Sequence, residues 1–148
     1  MVAINVLYAS IEGNTQSFIN KLREVSEANG DILNSKLIGD ETEFEQVTQP
    51  FVAIVPTYLT GGTGTGPEVT EIFTNALGDY IDFSDNRKFL VGIVGSGNRN
   101  FNVQYILTAK RYAQKYQVPL LADYELRGSR FDAQKIYQKI KTIVGESK

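Results

Sequence analysis

The chain has 148 residues, 42% of them hydrophobic, and its 15 basic and 17 acidic side chains leave a formal net charge of −2. This length predicts one globular domain, residues 1–148, able to bury roughly two-thirds of its unfolded surface. The chain contains no cysteine, histidine or tryptophan. Disulfides, thiolate nucleophiles, Cys/His zinc sites, cysteine-bound iron-sulfur clusters and Ser-His-Asp triads are therefore excluded.

The first residues, MVAINVLYAS, have no basic segment followed by a long apolar stretch. No apolar run reaches the roughly 18 residues that a membrane-spanning helix needs. We therefore expect neither a signal peptide nor a membrane partner, and a cytoplasmic location.

Charge is distributed unevenly along the chain. Residues 1–95 carry 5 basic and 13 acidic side chains, whereas residues 96–148 carry 10 basic and 4 acidic ones. The Lys-rich C-terminal segments are either solvated helix surfaces or a docking face for an acidic partner. A nucleic-acid partner is not expected, because the basic residues are dispersed and the pI is 5.2.

Short apolar segments alternate with amphipathic ones, which is typical of α/β proteins. Strands are predicted at residues 2–8, 31–38, 51–56, 88–95 and 118–126. Several of them are nearly continuous apolar runs, as expected for a parallel sheet that is covered on both faces.

Four segments between and after these strands show helical spacing of apolar residues. The predicted helices follow Asn14, Pro67 and the fourth strand, and the last follows Asp132. In the second of them, Val69, Ile72 and Phe73 belong to the apolar stripe. The acidic connection at residues 39–50 shows no convincing helix. Helical crossovers between five parallel strands fit the strand order 2-1-3-4-5. In such a sheet, ligands bind at the carboxyl ends of the strands, beside the switch point at which the order of the strands reverses.

The loop after the first strand, SIEGNT, leads directly into a helix. Hydroxyl and amide side chains, together with free backbone N–H groups, make such a junction either an anion site or an ordinary helix cap. No basic residue precedes Lys21. A phosphate would therefore be bound mainly by amides and by Ser10, Asn14 and Thr15.

The loop after the third strand, PTYLTGGTGTGPEV, is rich in glycine. It lacks the Lys-Ser/Thr ending of a nucleotide-binding phosphate loop, and it does not follow the first strand as a dinucleotide-binding motif does. It is either a flexible surface loop or a place where backbone approaches a flat ligand, with Tyr58 as a stacking surface.

The loop after the fourth strand, GSGNRNFN, is again rich in small and amide residues. Asn98 and Asn100 offer donors and acceptors to a heterocycle, Arg99 could meet an anion, and Phe101 could cover a ring. Three such loops after strands one, three and four point to one ligand site.

With these motifs, the chain resembles flavodoxin-like proteins, and more closely the NrdI flavoproteins that accompany class Ib ribonucleotide reductases. The resemblance covers nearly the whole chain. The GNT turn is shared with flavodoxins generally. The combination of PTY before a Gly-rich loop, GSGNRNF, and VPLLADYELRGS looks like the NrdI family specifically.

This resemblance implies a flavodoxin-like α/β/α fold and bound FMN, with the phosphate on the first loop, the isoalloxazine between the other two, and Phe101 stacking on it. No metal ligand and no acid-base catalytic residue is implied. The residues expected to bind the cofactor are Ser10, Glu12, Gly13, Asn14, Thr15, Thr57, Tyr58, Thr60, Gly61, Gly62, Gly97, Asn98, Asn100 and Phe101.

The resemblance also implies a role. In this family reduced FMN reacts with oxygen to give an oxidant, taken to be superoxide, which serves to assemble the dimanganese-tyrosyl radical cofactor of the reductase small subunit. That subunit and a flavin reductase or other electron donor are the expected partners. The protein would be an accessory redox flavoprotein with no conventional substrate.

Two residues depart from the family pattern. Glu12 stands where flavodoxins commonly have Thr, and Asn102 stands where the family usually has Gly. They motivate one alternative, a divergent non-redox interaction protein. The other alternative is a general one-electron carrier.

Overall fold

The computed structural model describes residues 2–9, 13–56, 58–60, 70–72, 75–97 and 106–146. The strands are β1 (Ala3–Tyr8), β2 (Ile32–Leu37), β3 (Phe51–Pro56), β4 (Tyr58–Thr60), β5 (Thr70–Ile72), β6 (Leu90–Gly97) and β7 (Leu120–Glu125). The helices are α1 (Asn14–Ala28), α2 (Asn75–Asp82), α3 (Leu107–Tyr116) and α4 (Arg130–Glu146), with a 3-10 turn at Asn86–Phe89.

Five strands form one parallel sheet in the order β2-β1-β3-β6-β7. Counting only these five, the order is the predicted 2-1-3-4-5. The chain leaves β1 for β2 on one side and returns to β3 on the other, so the switch point lies between β1 and β3. The carboxyl ends of β1, β3 and β6 are therefore neighbours, as the pairs Tyr8 with Ile54 and Pro56 with Ser96 show.

The core lies on both faces of this sheet. On one face, apolar residues of α1 and α4 pack against β1, β2 and β3 around Phe18, Ile19 and Tyr137. On the other face, α2 and α3 pack against β3 and β6 around Leu77, Ile81 and Ala109. Every residue of β3 is buried, as expected for the central strand of a covered parallel sheet.

The second predicted helix is wrong in its N-terminal part. Thr70–Ile72 form β5, which pairs antiparallel with β4, and α2 begins only at Asn75. Strand propensity explains the error: Tyr-Leu-Thr and Thr-Glu-Ile are rich in aromatic and β-branched residues that favour paired strands. A Gly-rich stretch between two such segments is a hairpin signal, which an interpretation based on helical spacing missed.

Smaller boundary differences occur at two other elements. Lys88 and Phe89, predicted to open the fourth strand, lie in the 3-10 turn, and the strand extends to Gly97 instead. The last helix begins at Arg130, before Asp132. The Ser129 hydroxyl accepts from the Asp132 backbone N–H at 3.0 Å, and Asp132 accepts from the Ser129 N–H at 2.8 Å, which is a reciprocal cap. Residues 39–50 contain no helix or strand, as predicted.

The basic C-terminal part of the chain does not form a single face. Its helices α3 and α4 lie on opposite sides of the sheet. Some of its cations are also paired with acidic residues: Lys115 with Asp82 at 3.0 Å and Arg130 with Glu24 at 3.0 Å. Among the described helices, none is long and apolar enough to cross a membrane.

Candidate functional site

The β1–α1 junction lies at the carboxyl edge of the sheet, next to the switch point. Gly13 precedes α1 with φ of 81°, a left-handed conformation that glycine adopts without steric cost. The first helical hydrogen bond runs from the Ser17 N–H to the Gly13 carbonyl at 3.1 Å. The backbone N–H groups of the first turn before Ser17 therefore have no acceptor within the helix.

The start of α1 is electrostatically suited to an anion. The first turn, residues 14–17, contains no acidic side chain, and no described side chain caps the helix. The helix dipole adds a partial positive charge at this end. Free N–H donors and this dipole together make the N-terminus of a helix a phosphate or carboxylate site.

Thr15, in the first turn of α1, carries a buried polar atom that lacks a partner. Its side chain is 0% exposed, and its Oγ1 atom forms no hydrogen bond with any residue that the structure describes. Burying a hydroxyl without a partner costs about 1 to 3 kcal/mol, so native proteins rarely do so without a functional reason. A ligand oxygen at the start of α1 would supply the missing partner.

Tyr8, the last residue of β1, is linked to the same helix. Its hydroxyl donates a hydrogen bond to the Gln16 side chain, and the Gln16 amide donates to Asn20 at 3.2 Å. Burial raises the pKa of the Tyr8 hydroxyl above its usual value, so this group remains a neutral donor at physiological pH. The bond fixes the first turn of α1 to the end of β1.

The turn between β7 and α4, at residues 126–128, also lies at this edge. The Leu126 N–H donates to the Gly97 carbonyl at 2.8 Å, which ties the turn to the end of β6. Leu126 has φ of 55° and Gly128 has φ of 67°, so the chain bends sharply here. Arg127, between them, donates through Nε to Asn14 Oδ1 at 3.2 Å.

Lys21 makes a second connection between this turn and α1. Its Nζ donates to the carbonyl oxygens of Arg127 at 3.3 Å and Gly128 at 2.9 Å. Arg127 thus contacts a predicted binding residue, a contact that sequence reasoning missed, and it is 113 positions from Asn14 along the chain. In the sequence, the available signal for Arg127 was the ELRG part of the motif VPLLADYELRGS. The spacing of a motif along the chain could not show which distant residues it contacts in the fold.

Some of the predicted binding residues lie within the described part of the chain and others lie outside it. Gly13, Asn14 and Thr15 lie together at the start of α1, and Gly97 lies at the end of β6. Tyr58 and Thr60 lie on β4, immediately after β3. Outside the described residues lie Ser10, Glu12, Thr57, Gly61, Gly62, Asn98, Asn100 and Phe101, together with Arg99 and Asn102.

The described residues at the start of α1 fit a phosphate group. They offer free N–H donors, the Thr15 hydroxyl without a partner, and the amide of Asn14 held by Arg127. All of these groups favour a dianion with several acceptor oxygens. The phosphate end of FMN is such a group.

Comparison with solved structures places this fold among flavodoxins. A short-chain flavodoxin associated with a non-canonical PDU bacterial microcompartment superposes with a TM-score of 0.68 at 17% identity, covering 100% of both chains. Oxidised flavodoxin 1 from Bacillus cereus gives a TM-score of 0.56 at 20% identity, covering 97% of both chains. At these identities the likeness shows the fold alone.

Sequence comparison is more specific. A putative NrdI-like protein of Streptococcus pyogenes serotype M18 is 43% identical over 142 residues, covering 95% of this chain and 93% of the relative. Protein NrdI of Bartonella tribocorum is 36% identical over 128 residues, covering 86% and 85%. The family model described as "NrdI Flavodoxin like" matches residues 6–138. The chain therefore belongs to the NrdI flavodoxin-like family.

Proposed function

We propose that this protein binds FMN and, when reduced, supplies superoxide for assembly of the dimanganese-tyrosyl radical cofactor in the small subunit of a class Ib ribonucleotide reductase. The observation that carries the proposal is the family match over residues 6–138. The fold and the family imply a flavin, and the phosphate-compatible start of α1 supports FMN over a flavin without phosphate.

The chain's own residues would bind and position the cofactor. The free N–H groups of α1, the Thr15 hydroxyl and the Asn14 amide would hold the phosphate. Tyr8 and Gln16 would keep these donors in place by fixing α1 to β1. The bond between Tyr8 and Gln16 would lower the ordering cost of phosphate binding at this turn.

When bound and reduced, FMN would pass single electrons to oxygen, and each oxygen molecule that accepts one becomes superoxide. The protein would contribute binding, orientation and electrostatics to this chemistry. Negative charge near the flavin disfavours an anionic reduced ring by roughly 0.4 to 0.8 kcal/mol per carboxylate at about 10 Å. Over the whole chain the net charge is only −2, so few carboxylates lack a compensating basic residue elsewhere in the sequence.

The direct test begins with FMN binding. Purified protein is titrated with FMN by flavin fluorescence, reduced anaerobically with dithionite, and then exposed to oxygen while superoxide is followed by cytochrome c reduction with and without superoxide dismutase. One tight FMN per chain and dismutase-sensitive oxygen reduction are expected.

The second stage tests the partner. Reduced protein, oxygen and the Mn(II)-loaded class Ib small subunit are mixed, and the tyrosyl radical is measured by electron paramagnetic resonance. Radical should form with reduced protein and not with free reduced FMN at the same concentration. Absence of FMN binding would instead favour the divergent interaction protein. FMN binding with efficient reduction of unrelated acceptors but no radical would favour the one-electron carrier.

A further inference from the structure

We propose that Arg127 is a positioning residue for the cofactor phosphate: it brings a positive charge to the start of α1 and orients the Asn14 amide toward the ligand. This inference rests on the proposed FMN binding and goes beyond it, because it assigns a role to a residue far from the phosphate loop in sequence. Arg127 lies on the β7–α4 turn, not in any of the loops that carry the flavin-binding motifs.

Arg127 makes a hydrogen bond that orients the Asn14 side chain. Its Nε donates to Asn14 Oδ1 at 3.2 Å. The acceptor end of the Asn14 amide is thereby occupied, and its NH₂ end, which has two donors, is left for a ligand. An anion needs donors, so this orientation is the productive one.

The Arg127 guanidinium group retains capacity for a ligand. Arg127 is exposed, and apart from the bond to Asn14 no hydrogen bond or ion pair joins its side chain to a described residue. A guanidinium group has five N–H donors and suits phosphate oxygens. Its neighbour Arg130, by contrast, is paired with Glu24 at 3.0 Å.

The turn that carries Arg127 is held in place. The Leu126 N–H donates a hydrogen bond to the Gly97 carbonyl oxygen at 2.8 Å. Lys21 Nζ donates to the carbonyl oxygens of Arg127 at 3.3 Å and Gly128 at 2.9 Å. Because these three bonds fix the backbone on both sides of Arg127, its side chain starts from a defined position. Lys21 adds a second cation to the same region.

A second observation, which does not involve Arg127, also points to a ligand at the start of α1. The buried Thr15 Oγ1 has no partner in the same first turn that carries Asn14. Asn14 and Thr15 are consecutive residues at the start of α1, so a ligand at this end of the helix would be near both of them. The positive charge and the unsatisfied hydroxyl thus belong to one site.

The experiment compares Arg127→Gln with Arg130→Gln, which removes the same charge from an exposed arginine three residues away. Kd values for FMN and for riboflavin, which lacks the phosphate, are measured by fluorescence quenching at about 20 mM and about 300 mM salt. Arg127→Gln should weaken FMN binding about 5- to 10-fold at low salt and reduce its salt dependence. Riboflavin binding should not change, and Arg130→Gln should match the unmodified protein.

A double-mutant cycle with Asn14→Ala tests the orienting role. The loss caused by Arg127→Gln should be smaller in the Asn14→Ala background, because the oriented amide is then already absent. Additive losses would overturn the orienting role. Equal effects of the two arginine variants, or equal losses for FMN and riboflavin, would overturn the phosphate role. If the unmodified protein does not bind FMN at all, both the proposed function and this inference fail. If it binds FMN and Arg127→Gln leaves the affinity unchanged, only this inference is rejected.

Discussion

The rings of Phe18 and Tyr124 stack with centroids 3.9 Å apart and planes inclined by 16°. This pair joins α1 to β7 and forms the surface on which the β7–α4 turn rests. A Cβ atom built at Gly128 would lie 2.7 Å from Phe18 Cδ1 and 3.0 Å from Tyr124 Cδ2. The turn that carries Arg127 can therefore lie this close only because residue 128 has no side chain.

Gly128→Ala should destabilise the protein by about 2 to 4 kcal/mol, because it combines a left-handed backbone with a clash against the stacked rings. Gly30→Ala is the matched control. Gly30 has φ of 79°, and a Cβ atom added there would have nothing within 4 Å, so this change should cost only the conformational part, about 1 to 2 kcal/mol. Urea unfolding of both variants measures the difference, and equal losses would contradict the clash.

Thr15→Val should have opposite effects on the free and the cofactor-bound protein. Without ligand, replacing the buried Oγ1, which lacks a partner, by a methyl group should stabilise the fold by about 1 kcal/mol. With FMN, loss of a hydrogen bond to a charged group should weaken binding about 10-fold or more.

The control for this prediction is Thr142→Val, on the exposed surface of α4, whose hydroxyl donates to the Gln138 carbonyl at 2.9 Å. It should leave FMN affinity unchanged. Thermal unfolding with and without FMN, together with the Kd for FMN, checks both the expected gain in stability of the free protein and the expected loss of FMN affinity. Destabilisation of the free protein by Thr15→Val would show that the hydroxyl already has a partner.

Gly95→Ala should push α3 away from the sheet. A Cβ atom at Gly95 would lie 2.6 Å from Ala109 Cβ, and this short contact joins backbone-fixed atoms that cannot rotate away. Overpacking of this kind costs about 1 to 3 kcal/mol. In the double variant with Ala109→Gly, the loss of unfolding free energy should be smaller than the sum of the two single losses. The difference should exceed about 0.5 kcal/mol, the smallest coupling expected for residues in contact. Additive free energies of unfolding would exclude the contact.

Asp31 should make stability depend on pH in the acid range. Its buried carboxylate accepts from the Tyr137 hydroxyl and from the Val2 N–H at 2.9 Å, and it pairs with Lys141 at 3.0 Å. The bond from Tyr137, then those from Lys141 and Val2, hold the pKa of Asp31 well below its usual value. Because the folded-state pKa is the lower one, this contribution is present above about pH 4 and is lost as the pH falls below that value.

Asp31→Asn should therefore lower stability at pH 7, and its deficit should shrink by pH 3. Urea unfolding at pH 7, 5 and 3 gives the comparison. Asp85→Asn, which removes an exposed carboxylate that lies 3.3 Å from Lys88, should show little deficit at any of these pH values. A deficit for Asp31→Asn that stays constant with pH would contradict the linkage.

Periodicity and composition alone predicted the sheet, its strand order and three of its covering helices. Buried parallel strands require continuous apolar runs such as Phe51–Pro56, and helices that cover them require apolar stripes such as the one through Phe18 and Leu22. The motif after the first strand also predicted Gly13, Asn14 and Thr15 as phosphate-binding residues, and all three lie at the start of α1; phosphate binding itself stays a prediction.

Only the tertiary structure decided which distant segments meet. Whether Thr70–Ile72 form a strand depends on the partner Tyr58–Thr60, because a three-residue segment fits either the helical or the strand period until a pairing is available. The contact between Arg127 and Asn14 depends on the parallel sheet bringing the carboxyl ends of its strands to one edge. Local sequence sets propensity and pattern, whereas contacts between residues more than a hundred positions apart are set by the packing of the whole chain.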